Sequence, residues 1–267
     1  MSGNVPTRVM DETGTWREVQ VTGEHPLTLL VNNRELITLM TLGTQPELLA
    51  VGWLRNQGFL HSPEGLLSVE AIPDAQTVVV FLRSDLSGWE KKLAKRTVTT
   101  GCGQGTVFGE WVEELQTQKV TPLQLKQSTL YGLLRNLKHC NEVYRESGAV
   151  HGCALCEEEE VLFFVEDVGR HNAADAISGH MLLNGISGAG KLFYTTGRLT
   201  SEMVIKTAQM GISALVSRAG VTRMGLDLAR RLGVTLISRA GGKHFLVYHG
   251  AEHLILDIKN QKSPEPS

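Results

Sequence analysis

The sequence has few cysteines, few aromatic residues, no surplus of basic charge and no long apolar run. Only four of its 267 residues are cysteines, and 6% are aromatic. Lys and Arg number 26 against 28 Asp and Glu, which excludes a broadly basic nucleic-acid-binding protein. The longest apolar runs, such as Val161 to Val165, fall far short of the ~18 residues that a membrane span needs. We therefore expect neither nucleic acid nor a membrane as a partner.

The four cysteines are too few for a disulfide framework in a chain of this size. The N-terminus has no secretory signal pattern, so we expect a cytoplasmic protein whose thiols stay reduced. The sequence does have a hydrophobic fraction of 42% with 20% charged residues, which is typical of a compact folded protein. Its length fits one large domain or two smaller ones.

Positive charge is concentrated in one part of the chain. Residues 191–250 contain nine Lys and Arg but only two acidic residues. A cationic segment in an otherwise acidic chain indicates a site for an anionic ligand such as a nucleotide, or the solvated faces of amphipathic helices. No internal repeat or low-complexity segment is visible.

The N-terminal part predicts a small β-rich domain over residues 1–120. Runs of β-branched and aliphatic residues predict strands at 16–21, 66–72 and 77–83. A further run over 27–41 predicts a hairpin with its turn at Asn32 and Asn33. One helix interrupts these strands, because Pro46 is typical of a first helical position and Gly58 of a helix end.

Strand and helix signals alternate in the second part, residues 121–267. Short apolar runs predict strands at 161–165, 192–195, 214–217, 235–237 and 245–248. Strict alternation implies crossover connections, so we predict a mainly parallel sheet with helices on both faces, a three-layer α/β/α domain. Ligands of such sheets usually bind at the carboxyl ends of the strands.

Cys102 lies in the segment TTGCGQG, between glycines at positions 101, 103 and 105. The glycines allow a tight or mobile loop in which the sulfur can be approached closely. Nearby cations lower the pKa of a thiol, and four precede it: Lys91, Lys92, Lys95 and Arg96. A small apolar residue packed in a turn is the alternative. We favour a nucleophilic thiol.

A second pair of cysteines occurs in HGCALC, residues 151–156. The C-x-x-C spacing of Cys153 and Cys156 fits a metal site or a dithiol pair. Zinc nucleobase deaminases place a glutamate two residues after a histidine, and Cys153 occupies that position after His151. Small side chains packed beneath a strand or helix start are an equally open interpretation, and we predict no metal site.

Polar residues follow several predicted strands. In EDVGRHNAAD, residues 166–175, Arg170 and His171 would lie at a helix N-terminus, where the dipole and free N–H groups favour an anion. Capping by Asn172 is the alternative. Arg198 in TTGR and the turn SRAGGKH supply further cations at strand ends, with glycines that allow close approach to phosphates. From that turn we select Arg239, Gly241, Gly242, Lys243 and His244.

The segment GISGAGK, residues 185–191, has the spacing of a phosphate-binding P-loop, G-x-x-x-x-G-K. Leu192 stands where that motif needs Ser or Thr to bind magnesium. The segment also leads from a helix into a strand, the reverse of the P-loop arrangement. We therefore predict a glycine-rich turn.

These motifs resemble those of the FdhD family of formate dehydrogenase accessory sulfurtransferases. The resemblance rests, over residues 148–248, on GAVHGCAL, EDVGRHNAAD, TTGRLTSEMVIKTAQMGISALVS and LISRAGGKHFLVY. HPLTLLVNNRELITLMT and PELLAVGWLRNQGFL, nearer the N-terminus, also resemble the family. The resemblance implies a cytidine-deaminase-like α/β/α fold for the larger domain and a homodimer.

The resemblance also implies a cytoplasmic sulfur carrier. Such a protein accepts sulfur as a persulfide from a cysteine desulfurase. It passes the sulfur to the molybdenum of the bis(molybdopterin guanine dinucleotide) cofactor before that cofactor enters formate dehydrogenase. Cys102 falls on the first cysteine of the family's C-G-x-C-G loop, which carries the persulfide. The segment Arg239 to His244, which includes Ala240, aligns with the family's cofactor-binding stretch.

Gly105 replaces the second cysteine of that loop. One thiol suffices to accept and surrender a terminal sulfur, and we hypothesise that Cys153 or Cys156 takes the place of the missing thiol. Two other functions stay open. One is a chaperone that binds the guanine nucleotide part of the cofactor without moving sulfur, and the other is a zinc-dependent hydrolase of the deaminase type.

Overall fold

A computed structural model describes residues 4–84 and 120–258 of the chain. The predicted thiol Cys102, the glycine at 105 and the basic residues before Cys102 lie outside the described residues. Within these two ranges the chain forms a β-hairpin, a four-stranded sheet with one helix, and a six-stranded sheet with five helices. No helix in these ranges is both long enough and apolar enough to cross a membrane.

The N-terminal part is β-rich, as predicted. Strands β1 (Asn4–Met10) and β2 (Trp16–Thr22) form an antiparallel hairpin, of which β1 was not predicted. The four-stranded sheet has the order β4-β3-β6-β5. Its strands are β3 (His25–Val31), β4 (Arg34–Thr41), β5 (Leu66–Ile72) and β6 (Thr77–Leu82). Asn32 and Asn33 have φ of 47° and 62°, the left-handed conformation that a two-residue hairpin turn requires.

Helix α1 (Pro46–Asn56) covers one face of this sheet. It begins at the predicted proline, and Gly58 beyond its end has φ of 72°. Its apolar side buries Leu49, Trp53 and Leu54 against the aliphatic residues of β3 and β6. The helix therefore closes the core of the N-terminal sheet.

The second part contains a six-stranded sheet in the order β13-β12-β11-β10-β8-β9. Its strands are β8 (His151–Glu157), β9 (Glu160–Asp167), β10 (Leu192–Thr195), β11 (Ala214–Ser217), β12 (Thr235–Gly241) and β13 (His244–His249). The helices are α2 (Gln127–Cys140), α3 (Glu142–Ser147), α4 (Arg170–Leu183), α5 (Ser201–Gln209) and α6 (Arg223–Leu232). Strand β7 (Leu125–Lys126), which precedes α2, forms a short parallel pair with β14 (Leu254–Ile255), which follows β13.

Helices cover both faces of the six-stranded sheet. Apolar residues of α4, α5 and α6 form one buried cluster with the sheet, and those of α2 form another on the opposite face. The described chain thus has the predicted mixed α/β composition with three layers. The likeness to the cytidine-deaminase fold and the boundary at residue 120 stay predictions.

The prediction of a mainly parallel sheet is wrong. Only two pairings, β10 with β11 and β11 with β12, are parallel, and the other three are antiparallel. Two of the antiparallel pairings involve the unpredicted strand β8, which pairs with β10 and, across the two-residue turn at Glu158 and Glu159, with β9, and the third joins β12 to β13. A turn this short joins only antiparallel strands, because a parallel pair needs a long crossover.

The conformation of the segment GISGAGK was predicted correctly. The segment joins α4 to β10, and Gly185 and Gly190 have φ of 62° and 76°. The loop leads into a strand and not into a helix, unlike a P-loop. The prediction of a glycine-rich turn instead of a P-loop is confirmed.

Two glycines allow α1 of the N-terminal part to pack in close contact with α4 of the second part. A Cβ atom at Gly52 would overlap the backbone carbonyl oxygen of Asp175, and one at Gly179 would overlap that of Leu48. The two helix backbones are therefore in direct contact. This crossing fixes the N-terminal sheet against the helix that begins with Arg170.

Candidate functional site

Three arginines lie at the carboxyl ends of the three parallel strands. Arg198 follows β10, Arg218 follows β11 and Arg239 lies near the end of β12, and all three are exposed. The strand ends are held together beyond the sheet, because Leu199 N–H donates to Gly220 O at 2.9 Å and Arg239 N–H donates to Ala219 O at 3.2 Å. The structure thus brings the predicted Arg198 and Arg239 to one edge, with Arg218 on the strand between them.

A buried arginine and a half-buried histidine lie beneath this edge. Arg170 is buried against Gly197, which has no room for a Cβ beside the arginine side chain. His151, half-buried at the start of β8, contacts Thr196 Oγ1 through Nδ1 at 3.3 Å. Burial, and then the positive charge of Arg170 and of other nearby cations, lowers the pKa of His151. The edge therefore has a positive field and favours an anionic ligand.

Two buried pairs of ionisable side chains connect α4 with α5. His171 Nε2 lies 3.0 Å from Glu202 Oε2, and one turn further Asp175 Oδ1 lies 2.6 Å from Lys206 Nζ. All four residues are at most 5% exposed. Lys206 Nζ also donates to His171 O at 3.4 Å. The predicted ligand residue His171 thus faces Glu202, and the pairs hold the first two turns of α4 in place.

Most polar side chains of EDVGRHNAAD join structural elements. Glu166 accepts hydrogen bonds from the N–H groups of Val143 and Tyr144, both at 2.9 Å, and so caps α3. Asp167 accepts from Gly169 N–H at 2.9 Å, from Leu42 N–H at 3.1 Å and from the Thr41 hydroxyl. These contacts bind the end of β4 and the start of α4 to the same carboxylate.

Asn172 does not cap α4 as the sequence alternative proposed. The N-cap position belongs to Gly169, and Asn172 Nδ2 donates to Met40 O at 2.8 Å and to Asp167 Oδ1 at 2.9 Å. Among the residues of this motif, Arg170 lowers the pKa of His151 most and His171 less, both after the larger effect of burial.

The segment SRAGGKH, residues 238–244, contains the end of β12, a two-residue turn and the first residue of β13. Gly242 has φ of 61° and Arg239 has φ of 49°. Ala240 is buried, whereas Gly241, Lys243 and His244 are exposed. Tyr131 of α2 donates its hydroxyl to Lys243 O at 3.0 Å, which fixes the turn against the helix. The predicted residues of this turn thus form an exposed, cationic hairpin tip next to Arg239.

The cysteines of HGCALC are neither a metal site nor a reachable dithiol. Cys153 and Cys156 are both fully buried, and they belong to apolar clusters on opposite faces of the sheet. Burial raises the pKa of Cys153 to about 12 and also raises that of Cys156. The hypothesis that one of them replaces the missing loop thiol is therefore wrong. Among the described residues, no group of three or more His, Cys, Asp or Glu side chains could hold a metal.

Alkylation tests this placement. Raising a thiol pKa from 9 to about 12 lowers its thiolate fraction about a thousand-fold at neutral pH, and burial also blocks access. We expect iodoacetamide to leave Cys153 and Cys156 unmodified in native protein and to modify both in urea, as measured by peptide mass spectrometry. Half-buried Cys140 is the internal control and should react slowly. Fast labelling of Cys153 or Cys156 in the native state would contradict the assignment.

A groove of about 740 Å³ lies at the opposite edge of the six-stranded sheet. Its lining includes Leu123, Leu125 and four consecutive glutamates, Glu157 to Glu160. The four glutamates outnumber Lys126, the one basic residue among the described residues of the lining, so the groove disfavours phosphates. The cationic carboxyl ends of the parallel strands suit an anion better than this groove does.

Sequence reasoning missed Arg218, although a signal for it is visible. The four residues Ser-Arg-Ala-Gly occur twice, at 217–220 and at 238–241. The first copy begins with the last residue of β11 and the second lies within β12, and the register Val216 with Ile237 brings their first residues to the same level. This four-residue repeat is too short to have been recognised as an internal repeat, but it places two arginines on neighbouring strands.

Comparison with known proteins agrees with the motifs. A sequence model of the FdhD/NarQ family matches residues 22–255. The sulfur carrier protein FdhD of Listeria monocytogenes serotype 4b (strain F2365) is 31% identical over 248 residues, which cover 91% of this chain and 95% of that protein. The sulfur carrier protein FdhD of Bacillus subtilis (strain 168) is 30% identical over 239 residues, covering 89% and 91%.

A solved structure has the same fold. The crystal structure of a proposed formate dehydrogenase accessory protein from Desulfotalea psychrophila superposes with a TM-score of 0.76 at 26% sequence identity. The match covers 94% of this chain and 98% of that one. The family match over residues 22–255 includes the four-stranded sheet, the six-stranded sheet and the three strand-end arginines. The chain therefore belongs to the FdhD/NarQ family.

Proposed function

We propose that this protein is a sulfur carrier that serves formate dehydrogenase. The observation that supports this most is membership of the FdhD/NarQ family over residues 22–255, whose relatives in Listeria and Bacillus are named sulfur carriers. The sulfur donor in this proposal is a cysteine desulfurase. The acceptor is the molybdenum of the bis(molybdopterin guanine dinucleotide) cofactor, which is the substrate of the transfer. The protein would act in the cytoplasm as a homodimer.

Cys102 is the thiol that we propose for the persulfide. The described cysteines are poor nucleophiles, because burial raises the thiol pKa of Cys153, Cys156 and Cys140. Glu142 and Glu166 raise that of Cys140 further. Cys102 is flanked instead by glycines and preceded by four cations in the sequence. Its sequence environment is the one that suits a reactive thiolate.

The loading step is a thiol exchange. The Cys102 thiolate attacks the terminal sulfur of the donor persulfide, the donor's S–S bond breaks, and the donor cysteine leaves as a thiolate. The terminal sulfur is then held in a new S–S bond on Cys102. Its delivery as sulfide takes up two electrons, which a thiol can supply. Gly105 stands where the family loop has a second thiol, so in this proposal an external thiol would supply these electrons.

We propose that the cofactor binds at the cationic strand ends. Arg198 and Arg239 are exposed there, and the turn of Gly241, Gly242, Lys243 and His244 lies beside them. Guanidinium groups bind phosphate oxygens through paired N–H donors. Arg170 and His171 lie beneath this surface, where Arg170 adds charge and His171 is held by Glu202. This arrangement suits the diphosphate of a guanine dinucleotide.

Persulfide loading tests the proposal. We expect one added sulfur on the peptide that contains Cys102 after incubation with a cysteine desulfurase and cysteine, as measured by mass spectrometry. The variant Cys102→Ser should lose all loading. The matched control Cys140→Ser should load like the wild type, since Cys140 is half-buried on α2. Normal loading of Cys102→Ser would disprove the assignment of the carrier thiol.

A chaperone that binds the cofactor without moving sulfur is the second candidate. The replacement of a loop cysteine by Gly105 favours it, because the family loop has two thiols there. The same experiment separates the two functions. A wild-type protein that binds guanosine diphosphate but never gains sulfur would be a chaperone.

A further inference from the structure

We propose that Arg218 is a further phosphate-binding residue, that Arg218 and Arg239 contact the two phosphates of one diphosphate group, and that Tyr144 positions Arg218. This inference deepens the proposed function and rests on it for the nature of the ligand.

The repeat places two arginines close together, Arg218 after β11 and Arg239 near the end of the adjacent β12. The paired residues Leu215 with Leu236 and Val216 with Ile237 set the register in which the two Ser-Arg-Ala-Gly copies begin. Neighbouring strands lie about 4.8 Å apart. Arg239 N–H donates to Ala219 O, so the second copy remains attached to the first beyond the sheet. The two arginine side chains thus start from positions that one diphosphate can bridge.

The backbone before Arg218 is held by a buried serine. Ser217 is fully buried, donates its hydroxyl to Gly197 O at 2.6 Å and accepts from Ala219 N–H at 2.9 Å. These bonds tie the end of β11 to the loop after β10. The backbone on both sides of Arg218 is therefore fixed, although its side chain is exposed.

Tyr144 holds the guanidinium group of Arg218. The Arg218 Cζ atom lies 4.4 Å from the centroid of the Tyr144 ring. A stacked guanidinium keeps its N–H groups free at the edge of the plane, where they can bind phosphate oxygens in pairs. Tyr144 is itself held, because its N–H donates to Glu166 at the start of α3. A chain of contacts therefore leads from the EDVGRHNAAD motif to the exposed arginine.

The surrounding charges agree with this role. Arg170, Arg218 and Arg198 all lie near enough to His151 to lower its pKa, after the larger effect of burial. No acidic side chain pairs with Arg218 among the salt bridges of the described residues. Its charge is therefore available to a ligand.

Calorimetric titration of the full chain with guanosine diphosphate and with inorganic pyrophosphate tests the inference. We expect Arg218→Gln to weaken both ligands about 10- to 100-fold, the usual effect of losing a charged hydrogen-bond pair. Arg239→Gln should have a similar effect. The matched control Arg230→Gln, on the exposed face of α6, should bind like the wild type.

Variants of Tyr144 test the positioning role. Tyr144→Phe keeps the ring and should bind like the wild type, whereas Tyr144→Leu should weaken binding about 5-fold or more, since stacked cations gain on the order of 1 kcal/mol. In the Arg218→Gln background Tyr144→Leu should cause no further loss. An equal loss in both backgrounds would show that Tyr144 does not act through Arg218.

The outcomes separate this inference from the proposed function. Wild-type affinity in a folded Arg218→Gln variant, together with weakened binding by Arg239→Gln, would overturn the role of Arg218 and leave the ligand class intact. A wild-type protein that binds pyrophosphate through Arg218 but gains nothing from the guanosine part would support Arg218 and contradict the guanine dinucleotide. Binding of neither ligand would overturn both.

Discussion

Replacing Lys206 with methionine is expected to lower the free energy of unfolding by about 3–5 kcal/mol, the usual cost of removing one partner from a buried ion pair. Asp175 is fully buried, and its Oδ1 atom lies 2.6 Å from Lys206 Nζ. Methionine fills a similar volume but leaves the carboxylate without its counter-charge. Asn56 Nδ2, which donates to the same oxygen at 2.6 Å, cannot supply a charge. Urea denaturation followed by circular dichroism measures the effect.

Lys191→Met is the matched control for this experiment. Lys191 also pairs with a carboxylate, Glu157, at 2.8 Å, but the glutamate side chain is 48% exposed. A pair in contact with solvent contributes about 1 kcal/mol or less. The double variant Lys206→Met with Asp175→Asn should regain part of the loss, because it removes the unpaired charge. Equal stability of Lys206→Met and Lys191→Met would refute the structural role of the buried pair.

Replacing Gly52 with alanine is expected to destabilise the protein by about 2 kcal/mol or more. Two effects oppose each other here. Alanine in a helix interior is favoured over glycine by about 1 kcal/mol. Its Cβ atom would, however, overlap the Asp175 carbonyl oxygen of α4, and overpacking of a close contact costs about 1–3 kcal/mol and sometimes more. The obstacle is backbone that cannot rotate away, so we expect the steric effect to dominate.

Thermal and urea unfolding of Gly52→Ala measure this effect. Gly179→Ala, on the other side of the crossing, should be destabilised in the same way, since its Cβ would overlap Leu48 O. Gly220→Ala is the control, because nothing lies within 4 Å of the position its Cβ would take. If Gly52→Ala were as stable as the control, α1 and α4 would not cross in backbone contact.

Local features could be predicted from the sequence because their causes are local. Asn32 and Asn33 tolerate positive φ, and Pro46 fits the first turn of a helix, so the hairpin and the start of α1 follow from these residues alone. The cations at 191–250 likewise predicted an anion site, since strands of an α/β sheet end at a common edge. The structure places Arg198 and Arg239 at that edge.

The hypothesis that Cys153 or Cys156 replaces the loop thiol failed because the strand β8 was not recognised, whereas the alternative of small side chains packed in the core fits their burial. In a strand, residues three apart point to opposite faces, so the sulfurs of Cys153 and Cys156 separate into two cores. A C-x-x-C pair can hold a metal only where a turn or helix brings its sulfurs together. The short apolar run from Cys153 to Cys156 carries no periodicity that distinguishes these cases.

The sequence by itself determined the family, the order of most elements and the positive charge of the strand ends. These depend on motifs, on turn residues and on composition, all of which act over a few positions. The tertiary structure alone decided that Glu202 faces His171 and that Tyr144 stacks on Arg218. Such contacts join residues far apart in the chain, and they depend on how helices and strands pack, which no local pattern encodes.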